Sequence, residues 1–293
     1  MAYALSIIAN PTAPVIDRRV RDRLTALFPN SDLHELRDGV AYDLILAQLA
    51  PETLEAANDA RRNLPIDINI IPTERRRKKL LIADMDSTII EQECIDEIAE
   101  YAGKRKQIAD ITERAMRGEL DFEAALKERV AMLKGLPESV LAQTFETCIS
   151  LTPGAHTLVQ TMNAHGAVTA LVSGGFTFFT SRVAQIAGFS YNQANKLLLE
   201  DGKLSGKVAK PILGRAAKQD ALLKIAGENE VDLKETLAVG DGANDLAMLG
   251  RAGLGVAFHA KPTVAEVADA RIDHGDLTAL LYLQGIPQSE FID

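Results

Sequence analysis

With 293 residues, 47% of them apolar, the chain has material for one large or two medium hydrophobic cores, which excludes a disordered protein. Its 32 basic and 41 acidic residues leave a net charge of −9, which argues against general affinity for nucleic acid or for an anionic membrane surface.

In chain order, the opening MAYALSIIANPTAP lacks a basic leader region, and no run of about 18 apolar residues occurs anywhere. The expected location is the cytoplasm. Residues 1–72 alternate short apolar runs with polar helical stretches: YALSII, PVIDRRVRDRLTAL, DLHEL, AYDLILAQL, ETLEAANDARR and IDINII. That order reads βαββαβ, a ferredoxin-like unit. Pro72-Thr73-Glu74 and the basic run Arg75 to Lys79 read as a solvated linker, so the first unit is placed at 1–76 and the second at 77–293.

From Lys79 the pattern becomes α/β, with strands expected at LLIA (80–83), AVTALV (167–172), TLAV (236–239) and LGVAF (254–258). Their unbroken apolar runs suit a parallel sheet covered on both faces. Between the first two strands lies a long stretch of helical periodicity without a good strand, from CIDEIAEYAG to PESVLAQTFETCI. It is read as a helical cap inserted at about 91–152, over the carboxyl edge of the sheet. LLLEDGKLSGKV suggests a hairpin turning on Asp201-Gly202. Cys94 and Cys148 are too few for a disulfide framework or a zinc site, and both are read as ordinary buried or half-buried thiols.

Ligands of a parallel sheet sit beyond the carboxyl ends of its strands. There the first strand ends in Asp84-Met85-Asp86-Ser87-Thr88, the second in Ser173-Gly174-Gly175 and the third in Gly240-Asp241-Gly242-Ala243-Asn244-Asp245. Asp84, Asp86 and Asp241 would repel one another in a partly dry cleft unless a cation joined them. An all-oxygen donor set with no histidine favours magnesium over zinc. Ser173-Gly174-Gly175, ahead of a helical stretch, offers a hydroxyl and backbone N–H groups to an anion. A phosphate site beside a metal site and a carboxylate nucleophile points to phosphoryl transfer through an aspartyl phosphate.

DMDST at 84–88, SGG at 173–175, a lysine and GDGAND at 240–245 resemble the four motifs of the haloacid dehalogenase superfamily. Within it, DMDSTIIEQECIDEIAEYAG and TERAMRGELDFEAALKERVAMLKGL resemble the phosphoserine phosphatases, over residues 77 to about 290. Lys207, Lys210 and Lys224 compete for the lysine role, and the resemblance selects Lys218. It further implies Asp84 as nucleophile, Asp86 as general acid and base, and Asp84, Asp241 and the Asp86 backbone carbonyl as magnesium ligands, with Asp245 behind them. Ser173, Gly174, Lys218 and Asn244 would hold phosphate, and Glu93 and Arg129 the substrate's ammonium and carboxylate. Met116 and Phe122 match apolar cap positions that exclude water.

The implied fold is a Rossmann-like parallel-sheet core with a helical cap, preceded by an α+β unit resembling ACT-type amino-acid-binding modules. The implied activity is magnesium-dependent hydrolysis of O-phospho-L-serine, the final step of L-serine biosynthesis. Its nearest rival passes the phosphoryl group to another hydroxyl; a regulatory amino-acid sensor is the non-enzymatic alternative. L-serine as an effector of the first unit, a homodimer and a cap that opens and closes complete the expectations.

Overall fold

The computed structural model describes residues 1–293. The first unit runs β1 (Tyr3–Ala9), α1 (Arg18–Leu27), β2 (Asp32–Arg37), β3 (Ala41–Leu46), α2 (Thr53–Arg61) and β4 (Ile66–Pro72). Its sheet has the order β2-β3-β1-β4 with every pair antiparallel, as the βαββαβ reading requires, and it fits an ACT-like module. The Asp17 carboxylate starts α1 by accepting the Val20 N–H at 2.8 Å. Alternation along the strands then divides the sheet into two faces. Leu5, Ile7, Leu44, Ile66 and Ile68 pack with Val20, Leu24 and Ala57 of the helices. Ile8, Ala41 and Ile71, on the opposite face, join the main core of the second unit.

The second unit opens with β5 (Leu80–Ala83) and a tight turn over Met85–Ile89. Four cap helices follow: α3 (Cys94–Tyr101), α4 (Arg105–Met116), α5 (Phe122–Met132) and α6 (Ser139–Cys148). The chain returns through α7 (Ala155–Ala164), β6 (Val168–Phe176), α8 (Thr177–Ala187) and β7 (Tyr191–Asn195) to the hairpin β8 (Leu197–Glu200) and β9 (Lys203–Val208). It closes with α9 (Arg215–Glu228), β10 (Thr236–Gly240), α10 (Leu246–Leu249), β11 (Leu254–Phe258), α11 (Pro262–Ala265), β12 (Ala270–Ile272) and α12 (Ala279–Leu283). No helix is long and apolar enough to cross a membrane.

The parallel sheet has the order β12-β11-β10-β5-β6-β7. Two of its six strands, β7 and β12, were not anticipated. Both are edge strands, one polar (YNQAN) and one of three residues, so neither carries the apolar run of a doubly covered strand. Strand β6 also extends beyond residue 172, through Ser173-Gly174-Gly175 to Phe176. The hairpin turns on Asp201 and Gly202, both at positive φ, as expected of that dipeptide. It is stitched to the cap by backbone bonds, Gly135 N–H to Leu204 O at 2.8 Å and Glu138 N–H to Gly202 O at 3.0 Å. Cys94 is buried and Cys148 half-buried, and both are free.

Candidate active site

Strands β10, β5 and β6 are neighbours in the middle of the sheet, so the three motif-bearing strand ends fall side by side. Asp84 leaves β5 with its N–H bonded to Val239 O at 3.0 Å, and its own carboxylate accepts the Met85 N–H at 2.7 Å. The backbone is still extended at Asp86 and reverses at Ser87, which takes a left-handed φ of 55°. The reversal leaves Asp86 facing the site. One of its oxygens accepts the Cys94 N–H at 2.8 Å and the other the Ser173 hydroxyl at 3.0 Å, while Ser173 Oγ accepts the Gly175 N–H at 2.8 Å.

Behind these groups one carboxylate oxygen from each of Asp84, Asp241 and Asp245 lies within 4.8 Å of the other two, and all three residues are buried. Lys218 is the one ammonium among them, 2.7 Å from Asp84 and 2.6 Å from Asp245. Three acids facing one base leave the cluster short of positive charge. Burial first, then the charges of Asp245 and Asp84, hold the Asp241 carboxyl well above the usual carboxylate range. Burial and Asp84 likewise push Asp245 up to about 7 although Lys218 touches it. Burial would lower the Lys218 ammonium, yet Asp245 and Asp84 outweigh it and raise it above its ordinary value. The donors are oxygens only, a set that suits a hard divalent cation.

This imbalance gives a testable pH dependence. The folded pKa values of Asp86, Asp241 and Asp245 are raised above those of the unfolded chain, so the native state binds more protons than the unfolded one between the ordinary carboxylate range and about 7. Stability is therefore lost as pH rises through that window. The metal-stripped protein is expected to melt at higher temperature at about pH 5.5 than at about pH 7.5, and added magnesium to erase the difference. A melting temperature that rises with pH in the stripped protein would contradict this charge balance.

A cavity of about 40 Å³ adjoins the cluster, lined by Asp84, Asp86, Glu93, Met116, Phe122, Arg129, Ser173, Gly174 and Asn244, together with Ile95, Leu126, Gly175 and Phe176. Glu93 precedes α3 and accepts the Ser87 hydroxyl at 2.7 Å; burial, then Asp86 and Asp241, raise its carboxyl well above the usual value. Arg129 of α5 is buried, donating to Thr112 Oγ1 at 2.9 Å and to Ala125 O at 3.2 Å, and burial lowers its pKa against the pull of Glu93 and Asp96. Asn244 Oδ1 is buried with no partner, an acceptor waiting for a donor. The cap is seated: Met116 O accepts the Ala243 N–H at 2.9 Å, and the Phe122 ring lies so near Gly174 that a Cβ there would fall 2.6 Å from it.

The residues singled out in the sequence thus come together, with two refinements. Lys218 stands behind the cavity wall instead of lining it. Asp245, expected behind the ligands, contributes its carboxylate to the same oxygen cluster as Asp84 and Asp241. The Asp86 carboxylate lies outside that cluster, and the expectation for Asp86 concerns its backbone carbonyl alone. Sequence reading missed Thr88, whose hydroxyl donates to Asp241 at 3.1 Å, and Thr112, which braces Arg129. Thr88 belongs to the DMDST motif and could have been found; Thr112 lies 17 residues before Arg129 on another helix and carries no local signal.

The family model for haloacid dehalogenase-like hydrolases matches residues 81–250. The phosphoserine phosphatase of Streptomyces coelicolor is 44% identical over 229 residues, 78% of this chain and 56% of that protein. With those of Vibrio cholerae and Haemophilus influenzae, the chain spans 56–65% of the length of these curated relatives. Among solved structures, a HAD family hydrolase from Salmonella enterica serovar Typhi superimposes with a TM-score of 0.84 at 32% identity, covering 97% of this chain and 98% of that one. A substrate-bound phosphoserine phosphatase complex gives 0.68 at 41% identity, over 70% of this chain and 97% of its own.

Proposed function

We propose that this chain, which belongs to the haloacid dehalogenase-like hydrolase family, hydrolyses O-phospho-L-serine to L-serine and inorganic phosphate through a phosphorylated Asp84. One observation carries the reading: two carboxylates, a hydroxyl–glycine cradle and a Glu93–Arg129 pair from the cap line a single cavity. Phosphate needs the cradle, and an amino-acid head group needs one acid and one base. The division of the chain at 76/77 belongs to the same proposal, as do a homodimer and L-serine feedback through the first unit, which the βαββαβ order supports.

Asp84 presents its carboxylate to phosphorus while the Ser173 hydroxyl, turning from Asp86 to the ligand, and the Gly174 backbone N–H receive the phosphoryl oxygens. Lys218 holds Asp84 in place and offsets the charge that builds on the transferring group. Asp86, whose pKa is raised by burial and then by Asp84, donates a proton to the departing serine oxygen and afterwards takes one from the attacking water. Magnesium fits the carboxylates of Asp84, Asp241 and Asp245, and when bound it neutralises them and polarises the phosphoryl group. Arg129 grips the substrate carboxylate, Glu93 its ammonium, and Asn244 accepts a hydrogen bond from the ligand. Met116 and Phe122 keep bulk water out.

The cavity of about 40 Å³ has room for only a few water molecules, at roughly 10–15 Å³ each. Admission of phosphoserine therefore requires the cap to lift from Gly174 and Ala243, and closure then restores the dry site. The test is phosphate release from a panel of phosphorylated amino acids and sugars, with magnesium and then with EDTA; chelator-insensitive release, or indifference to the amino-acid head, defeats the reading. Arg129→Ala is expected to lose about 100-fold in kcat/KM on phosphoserine and to stay within about threefold on an aryl phosphate. Equal loss on both would remove the head-group role of Arg129.

A further inference from the structure

We infer that substrate reaches the catalytic cavity through the cleft between the N-terminal unit, the cap and the core, and that Lys261 is the steering residue that draws the phosphate along it. The inference rests on the phosphate-ester reading above.

The cleft holds about 680 Å³. It adjoins the small cavity: Glu93 and Met116 line both, and Asp241 lines the cleft. On another flank of the cavity Phe122 is wedged between Gly174 and Gly214, where added Cβ atoms would fall 2.6 and 3.1 Å from its ring. With the cap closed the Phe122 ring fills that flank, whereas the cleft stands open to solvent beside Glu93 and Met116.

All three parts of the molecule build its walls. The cap supplies Thr112, Glu113 and Met116, the core supplies His259, Lys261 and the turn at Gly275-Asp276, and the N-terminal unit supplies Asn10 and Thr12. Asn10 Oδ1 accepts the Thr12 N–H and hydroxyl at 2.9 and 2.7 Å, and its Nδ2 donates to His274 O at 3.0 Å, so the β1–α1 loop is pinned to the core. The Asp67 carboxylate accepts the N–H groups of Asp273 and Gly275, both at 2.8 Å. His259 then bonds Gly275 O at 2.9 Å. The outer wall and the turn beneath it are thus held by the N-terminal unit.

The charge of the cleft is the puzzle. Glu91, Glu93, Asp96, Glu113, Asp241 and Asp276 line it, and such a lining repels a phosphate dianion. Lys261 is the only lysine or arginine among the lining residues. Its backbone N–H donates to Asp241 O at 2.9 Å, which sets it beside the acid cluster, and its ammonium joins none of the ion pairs of the chain. A cation without an ion-pair partner beside these acids offsets part of their repulsion of an incoming anion, so its removal lowers the anion's local concentration in the cleft.

The experiment uses the full chain loaded with magnesium. Lys261→Met is expected to lower kcat/KM on phosphoserine about tenfold at low ionic strength, with kcat within about twofold, and the deficit to shrink below about threefold near 0.5 M salt. Lys261→Arg keeps the wild-type value. Thr12 is exposed and lines the same cleft from the N-terminal unit, and adding Thr12→Lys to Lys261→Met restores most of the loss. A Lys261→Met deficit that ignores salt, no deficit, or no recovery by Thr12→Lys overturns the inference. Absence of wild-type phosphoserine turnover strikes the substrate reading instead, and the same variants are then compared on an aryl phosphate, where the salt-sensitive loss must recur.

Discussion

Asp84→Asn is expected to lower phosphoserine turnover by about 10⁴-fold or more, because an amide oxygen is a poor nucleophile and a poor cation ligand. The fold should not suffer. Asparagine keeps the oxygen that accepts the Met85 N–H at 2.7 Å, and it removes one of three crowded negative charges from a buried cluster. The melting temperature of the metal-free variant should equal or exceed that of the wild type, since uncompensated buried carboxylates oppose folding. Acid-quenched wild-type protein incubated with ³²P-labelled substrate should retain label, and the variant should retain none. Substantial turnover by Asp84→Asn, or label that survives in it, would move the nucleophile elsewhere.

Lys218→Met should act on both stability and rate, and the two effects can be separated. The ammonium lies between Asp84 and Asp245 at 2.7 and 2.6 Å with nearly all of its surface buried. Removing one member of a buried pair leaves its partners uncompensated, a cost of about 3–5 kcal/mol. Turnover should fall about 10²–10³-fold as the stabilising charge behind the transferring phosphoryl group is lost. Adding Asp245→Asn to Lys218→Met removes one orphaned charge and should recover most of the lost melting temperature without recovering rate. Recovery of both together would mean that Lys218 only supports the fold; an unchanged melting temperature in the single variant would mean that the pair is not closed in solution.

The catalytic rim was legible because a parallel sheet converts order along the chain into position in space. Once β5, β6 and β10 are recognised as apolar runs, their terminal residues must meet at one edge, and DMDST, SGG and GDGAND did so. The edge strands were hidden by the same logic, since β7 is polar and β12 is three residues long. Spacing did not select Lys218, because several lysines share its stretch; the family resemblance singled it out, and its contact with Asp84 and Asp245 sets it apart in space.

The first unit shows most sharply where local information stops. Its strand IDINII alternates apolar with polar side chains, a pattern that dictates a two-faced strand whatever surrounds it. The polar face nevertheless lies against protein: Asp67 and Asn69 bond backbone groups at 271–275, and Arg76 joins Asp43 at 2.6 Å to Leu283 O at 2.7 Å. Periodicity, turn chemistry and strand-end motifs act over a few residues, so the chain alone settled its apolar strands and its helices, the two faces of those strands and which carboxylates stand at their ends. How closely Lys218 meets those carboxylates, which polar face meets a partner and how three parts enclose one cleft depend on groups up to 264 residues apart. Those matters were decided only when folding made distant donors and acceptors neighbours and withdrew the water that would otherwise have satisfied them.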